Sequence, residues 1–455
     1  MSLVSLLGIA RSALKTHQRS VEVTSHNIAN ASTPGYTRQR ADLQPETPFR
    51  TPFGTLGRGV TIDNVYRMRD QFLDARYRQE SAAHGRFTEL RDQLGQLEAV
   101  LGEPSEFGLA ATLDAFWSSW SDLANSPTST AARAVVRNQG EAVARAFNGL
   151  DNRFSEIAQN TAAQLADAVG AVNALAREIA GLNSEIVSAE ANGQSANDLR
   201  DRRDVAIDQL SGMLPTRVVE QPNGSAMVVI GDLTFVDGST ALPLTVEASG
   251  RGIYALRVEG IPGSFTPDSG RISALTDTLS TGVPDLRQQI DAVAAAVVSE
   301  VNALHRTGVT LTGGMGRDFF AAAGLTAGTM SLAVLTQSSI HEIAAGVSGQ
   351  AGDGSLALAL AGLRDVGAGS LGGRSIHDLY VETVTSLGSQ VRDADRLAQS
   401  QEALLGNVET RRASANGVSI DEEMVDLISH QQAYTAAARI VTVADEMVQT
   451  ILNMV

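Results

Sequence analysis

Catalysis and metal binding need particular residue types at particular spacings, and this sequence approaches several such patterns without completing one. His341-Glu342 opens like the zinc-protease helix motif, in which two histidines share one helix face, but the second histidine position is Ala345. Gly314-Met315-Gly316 starts like a dinucleotide loop, yet the third glycine is missing and no clear strand leads into it. No serine has glycine two residues before and two after, so there is no nucleophile elbow. The seven histidines (His17, His26, His84, His305, His341, His377 and His430) are scattered, and no two stand at a metal-ligand spacing. Cysteine is absent, which excludes disulfides, thiolate metal sites and cysteine nucleophiles. The run Arg200-Asp201-Arg202-Arg203-Asp204 reads as a solvated helix face with (i, i+3) and (i, i+4) pairing. The sequence therefore predicts no catalytic, cofactor-binding or metal-binding residues and no enzyme.

Composition narrows the partners. The net charge of −16 disfavours nucleic acid and anionic membrane surfaces, both of which select basic proteins. There is no apolar run of about 18 residues, so no transmembrane helix is expected. The N-terminus lacks the basic, apolar, small-residue order of a secretory signal peptide. A length of 455 residues, 43% of them hydrophobic, allows about three domains with sizeable cores.

Leu3, Leu7, Ala10, Leu14, Val21 and Ile28 recur at steps of three, four or seven, with His17 and Thr24 in the gaps. That spacing predicts a helix from about Ser2 to Ile28 carrying a heptad seam. It stops near Asn30, where Thr33-Pro34-Gly35-Tyr36 suits a type II turn with glycine at the position needing positive φ. Residues 37–63 read as an extended connector. From Tyr66 to Leu214 the pattern is helical, broken at Gly102–Ser105, Asn125–Ser129 and Asn192–Asn197, with Pro104 and Pro127 placed at helix starts. Short alternating runs at Thr216–Val219, Ala226–Ile230, Leu233–Val236, Leu242–Val246 and Ile253–Val258 predict strands. Turn pairs such as Asn223-Gly224, Asp237-Gly238 and Ser249-Gly250 separate them. Helix returns at Arg271–His305 and Ser375–Arg412, around a Gly- and Ala-rich stretch, 308–373.

The last helix carries the sharpest local signal. Ser419 and Glu422 have the spacing of a capping box, and Asp421, Glu422 and Glu423 put negative charge on the first turn. Met424, Leu427, Tyr434, Ala438, Val441, Val448, Leu452 and Val455 continue a heptad, interrupted by Gln431 and Asp445. The fold class expected is mainly α with a smaller β domain. Paired N- and C-terminal coiled-coil helices (1–36 with 418–455) flank a central antiparallel helical bundle (37–215, 271–305 and 374–417). A β domain is inserted at 216–270, and 306–373 forms a connector, packed on the β domain.

Two terminal stretches resemble the signatures of flagellar rod, hook and hook-associated proteins. One is Ser25-His26-Asn27-Ile28-Ala29-Asn30 with Thr33-Pro34-Gly35-Tyr36-Thr37-Arg38-Gln39. The other is Gly417-Val418-Ser419-Ile420-Asp421-Glu422-Glu423-Met424 with Gln431-Gln432-Ala433-Tyr434. Three features are similar to the hook-associated protein 1 family: Thr37-Arg38-Gln39 after the turn, Asn197-Asp198-Leu199 with Asp201 and Arg203-Asp204, and Asn302-Ala303-Leu304-His305 followed by Asp318-Phe319-Phe320. The resemblance implies a structural subunit at the hook–filament junction, outside the cell. Export would use the flagellar type III apparatus without a cleaved signal peptide. Implied partners are copies of the chain in a ring, the hook protein on one side, hook-associated protein 3 on the other, and an export chaperone. Larger members carry a further outer β domain after the Asp-Phe-Phe motif, and only the Gly- and Ala-rich stretch occupies that place here. A hook or distal-rod protein, or a secreted hydrolase or adhesin with coiled-coil ends, are the alternative readings.

Overall fold

The computed structural model describes residues 3–51, 54–248, 252, 254–367 and 372–453. Helix α1 spans Leu3–Asn30. The expected connector instead pairs with itself: β1 (Gln39–Pro45) and β4 (Val60–Arg67) form an antiparallel ribbon. At its tip β2 (Phe49–Thr51) pairs with β3 (Gly54–Leu56). The ribbon lies along α1, where Thr16 Oγ1 donates to the Val60 carbonyl at 3.0 Å and the Val60 N–H reaches Ser12 Oγ at 3.3 Å.

Four helices follow: α2 (Gln71–Leu101), α3 (Leu109–Asn125), α4 (Thr130–Glu190) and α5 (Asn197–Met213). Each break coincides with a stop or start signal. Asp70 caps α2 by accepting the Phe72 and Leu73 N–H groups, Gly102 ends it in the left-handed region, and Ser129 caps α4 through the Ala132 N–H. Pro104 and Pro127 lie ahead of α3 and α4 and not in their first turns, so they end the preceding segment instead of opening the next.

The 61-residue α4 serves two cores. Its second half, from Leu165 to Ala180, packs against α5 and the β domain. There β5 (Thr216–Glu220), β6 (Ala226–Ile230), β7 (Leu233–Asp237) and β8 (Thr240–Ala241) form an antiparallel meander. Beside it β9 (Leu244–Ala248) pairs with β10 (Tyr254–Val258). The fourth expected strand starts two residues late, after Pro243, and the Ser249-Gly250 turn lies outside the described residues. Buried Asn183 ties α4 to the meander: its amide donates to the Ala226 and Gly238 carbonyls and accepts from the Ala226 N–H.

The chain re-enters the bundle through α6 (Arg271–Asp277), a π-helical turn at Thr278–Gly282, and α7 (Val283–His305). Beyond it come β11 (Val309–Thr310), α8 (Val334–Ser338), β12 (Ala344–Gly346) and α9 (Ser355–Gly362). This stretch was expected on the β domain; it belongs to the bundle core. Phe319, Phe320, Met330, Ile343, Leu356 and Leu360 pack with Phe116, Trp120 and Phe147. Two polar anchors explain the placement. Asn302 Oδ1 accepts the N–H groups of both Phe319 and Phe320, and its amide donates to the Phe320 carbonyl. His305, fully buried, bonds the Arg317 carbonyl through Nδ1 and accepts the Ala344 N–H at Nε2, which fixes a neutral tautomer. Gly140 leaves room for Phe319, since a Cβ there would sit 2.6 Å from the ring. His341-Glu342 lies in a single 3-10 turn, so the protease-like dipeptide has no helix to present it.

Helix α10 (Ile376–Asn416) runs along α2, and α11 (Ile420–Leu452) follows after Gly417.

Candidate assembly interface

The two ends of the chain meet in one antiparallel pair. Asn27 bonds Glu423 at one level of α1 and α11, and His17 stacks against His430 further along. On α1 the expected seam is mostly present: Ala10 and Thr24 are buried, and Leu3, Leu14, His17, Val21 and Ile28 are half-buried, while Leu7 is exposed. On α11 one row of the expected seam is shifted by a residue. Leu427, Ala438, Val441 and Val448 are half-buried, but Met424 (44%), Tyr434 (41%) and Leu452 (69%) are exposed. The second inward row is Glu423, His430, Ala437 and Ala444. Gln431 and Asp445 therefore do not interrupt the seam, because they face outward. Small residues at Ala10, Ala437 and Ala444 allow close approach of the axes. Val455 lies outside the described residues.

This arrangement leaves α11 with a second apolar face. Val425, Ile428, Val443 and Met447 are 67%, 49%, 51% and 48% exposed. Isolated chains rarely leave such a stripe in water.

A polar clasp fixes the pair at the joint with the bundle. Gly35 has φ of 79° and the Tyr36 N–H bonds the Thr33 carbonyl at 3.2 Å, so Thr33-Pro34-Gly35-Tyr36 forms the expected turn. The turn returns the Tyr36 hydroxyl to Asn27 Oδ1 at 2.8 Å, and burial, then Asp198, Asp201 and Glu423, raise its pKa. Asn30, at the end of α1, donates to the His26 carbonyl and accepts from Thr33 Oγ1. Buried Asn27 also accepts the Gln39 N–H and donates to the Gln39 carbonyl and to Glu423, tying β1 to both helices. Arg38 completes the clasp, reaching Glu423 at 2.6 Å, Glu422 at 2.8 Å and Asp426 at 3.5 Å.

The clasp corrects the cap reading. Ser419 sits at the N-cap of α11 but its side chain makes no cap bond, and Glu422, which would close the box from the other side, is paired with Arg38. A full capping box stands instead at Ser375 and Asp378 of α10. Ser375→Ala is therefore expected to lower thermal stability by about 1 kcal/mol, whereas Ser419→Ala leaves it unchanged. Equal losses in calorimetry would reject the distinction.

Beneath the clasp lies a buried charge knot. Asp204 of α5 pairs with Arg67 at 2.7 Å, Arg78 at 3.3 Å and closely with Arg69. Asp201 accepts from Arg67 and from the Thr37 N–H. Asp74 and Asp208 bridge Arg69 and Arg78 to Arg412 of α10. Burial pushes the Asp204 carboxyl up, but Arg69, Arg67 and Arg78 outweigh it and hold the group below its ordinary value. For Asp201, burial prevails over Arg67 and the pKa is raised. The 200–204 run is thus not a solvated face: Asp201, Arg203 and Asp204 are buried. The spacing of Asp201, Asp204 and Asp208 on one helix face was the available signal. Beside the knot a cavity of about 530 Å³ opens among Tyr36, Tyr77, Val205, Arg412 and Asn416.

Gly35 is doubly constrained there, since a Cβ would also lie 2.2 Å from Val205 Cγ2. Gly35→Ala should cost about 1–3 kcal/mol in chemical unfolding, and adding Val205→Ala should recover only the steric part. A neutral Gly35→Ala would refute the tight turn.

An α-helical bundle carrying an inserted β domain and a clasped pair of terminal helices with an unpartnered apolar face is the build of a subunit of an axial assembly. The family comparisons agree. A model of the flagellar hook-associated protein FlgK helical domain matches residues 94–320, and models of flagellar basal body rod proteins match 7–37 and 412–454. Flagellar hook-associated protein 1 of Bacillus subtilis is 32% identical over 98% of this chain and 97% of its own length. The Salmonella typhimurium protein of that name is 27% identical over 70% of this chain and 59% of its own. The solved structure of the flagellar hook junction protein FlgK from Burkholderia pseudomallei shares the fold, with a TM-score of 0.66 at 17% identity. It covers 77% of this chain and 100% of the other. The chain belongs to the flagellar hook-associated protein 1 family and is a structural protein of the flagellum.

Proposed function

We propose that the chain joins hook to filament by packing its terminal pair against neighbouring copies in a ring, and that it acts as scaffold and not as catalyst. The observation that carries this reading is the set of outward apolar residues Val425, Ile428, Val443 and Met447, on a pair whose inner seam is already closed. Burying apolar surface contributes roughly 25 cal/mol per Å², so a neighbour covering these residues stabilises the assembled state. The bundle and β domain form outer shells. The hook protein lies on one side and hook-associated protein 3 on the other, with an export chaperone before assembly. The net charge of −16 suits this protein-only setting outside the cell and opposes binding to nucleic acid or anionic membranes.

The test is electron microscopy of a strain lacking the gene, with flagellin assayed in the medium. Hooks without filaments and flagellin lost to the medium are expected. Missing hooks would move the chain to the rod or hook, and normal flagella would overturn the reading.

A further inference from the structure

The seam between α1 and α11 contains one feature that packing alone does not call for. The ring centroids of His17 and His430 are 5.7 Å apart, tilted by 37°. His17 Nδ1 is buried and has no hydrogen-bond partner among the described residues. Two adjacent imidazoles are compatible with close contact only while at least one is neutral.

The surrounding charges give an imidazolium pair no relief. On α11, Asp426 stands one turn before His430 and is taken by Arg38, and Glu423 is held by Arg38 and Asn27. Tyr434, one turn after, is exposed. On α1, Arg11, Lys15, Arg19 and Glu22 are exposed, with Arg19 paired to Glu22. On the ribbon, Glu46 and Asp63 border a groove shared with Lys15 and Arg19. Among the described residues no carboxylate forms an ion pair with either ring.

We infer that the His17–His430 contact is an acid-release element, in which protonation of both rings parts α1 from α11 and removes the assembly face. The consequence for assembly rests on the function proposed above, whereas the opening itself does not. Burial, and then His430, lower the His17 pKa in the closed pair. The separated helices therefore bind protons more readily. The contribution of His17 is complete above about pH 6.5, the ordinary histidine value, and is lost as pH falls through it toward the lowered value.

The absence of cysteine makes the test direct. The full chain carries spin labels at Gln18→Cys and Gln432→Cys, both exposed sites, and label separation is read by dipolar spectroscopy from about pH 8 to about pH 5. The expected result is one short distance at the upper pH and a long, broad distribution at the lower. The variant His17→Gln with His430→Gln should stay closed throughout. Three results would overturn the inference: no opening in acid, a broad distribution already at the upper pH, or opening of the double-glutamine variant in the same range. A chain that opens in acid yet never assembles at neutral pH supports the switch and refutes the assembly role.

Discussion

Asp204→Ala should destabilise the subunit by about 3–5 kcal/mol, the usual result of removing one partner from a buried ion network. Asp204 is 7% exposed and is the point where Arg67, Arg69 and Arg78 converge from the ribbon, the following linker and α2. Without it, like charges face one another inside the joint, with Asp201, Asp74 and Asp208 as the remaining acids. Since a domain is stable by only about 5–15 kcal/mol, the loss is a large part of the total. Asp204→Asn retains hydrogen-bonding capacity and should cost less than alanine. Because the native carboxyl is held below its ordinary value, its stabilisation is present above about pH 4. It is lost as pH falls through the native pKa. Urea unfolding at neutral and acid pH measures both effects. A change under about 1 kcal/mol at neutral pH would mean that the knot behaves as a surface network.

The second large effect concerns assembly and should leave the fold intact. Val443 and Met447 are half exposed and lie outside the inner seam. Aspartates at both positions should leave the monomer's circular dichroism and melting unchanged. In an assembled ring each would forgo burial of an apolar side chain and force desolvation of a carboxylate. Taking about 1.5 kcal/mol for each site, the critical concentration for assembly should rise about 100-fold. Sedimentation of the purified double variant against the parent gives the number. Normal assembly would remove this face from the interface, and a lowered melting temperature would mean that it packs within the subunit.

The helices and strands were largely legible because their boundaries are written in local chemistry. Gly102 and Ser129 end or begin helices by satisfying backbone groups, and Asn223-Gly224 turns a hairpin; the first bundle helix, expected from Tyr66, begins only at Gln71, because Tyr66 and Arg67 pair with β1. The segment 308–373 was not legible, since its elements are short and are placed by distant anchors. Asn302 and His305 hold it from α7, and Arg133 of α4 reaches the Ile343 carbonyl. Periodicity found the terminal helices but misplaced one row of α11. That helix has two apolar faces, and sequence alone does not say which is closed within the chain. Met424 and Leu452 continue the heptad as well as His430 and Ala437 do, yet only the latter row turns inward. The charge knot was misread for a related reason: Asp201 and Asp204 are ordinary solvated acids until Arg67, Arg69 and Arg78 arrive from elsewhere in the chain.

The central claim is that the outward face of α11 is covered by a second copy. It is tested most directly by a photoreactive amino acid placed at Met447 in assembled flagella, with Ala437 on the inner seam as reference. The account predicts adducts of two copies of this chain from Met447 and only internal links from Ala437. Flagella that assemble normally but give no two-copy adduct from Met447 would contradict it.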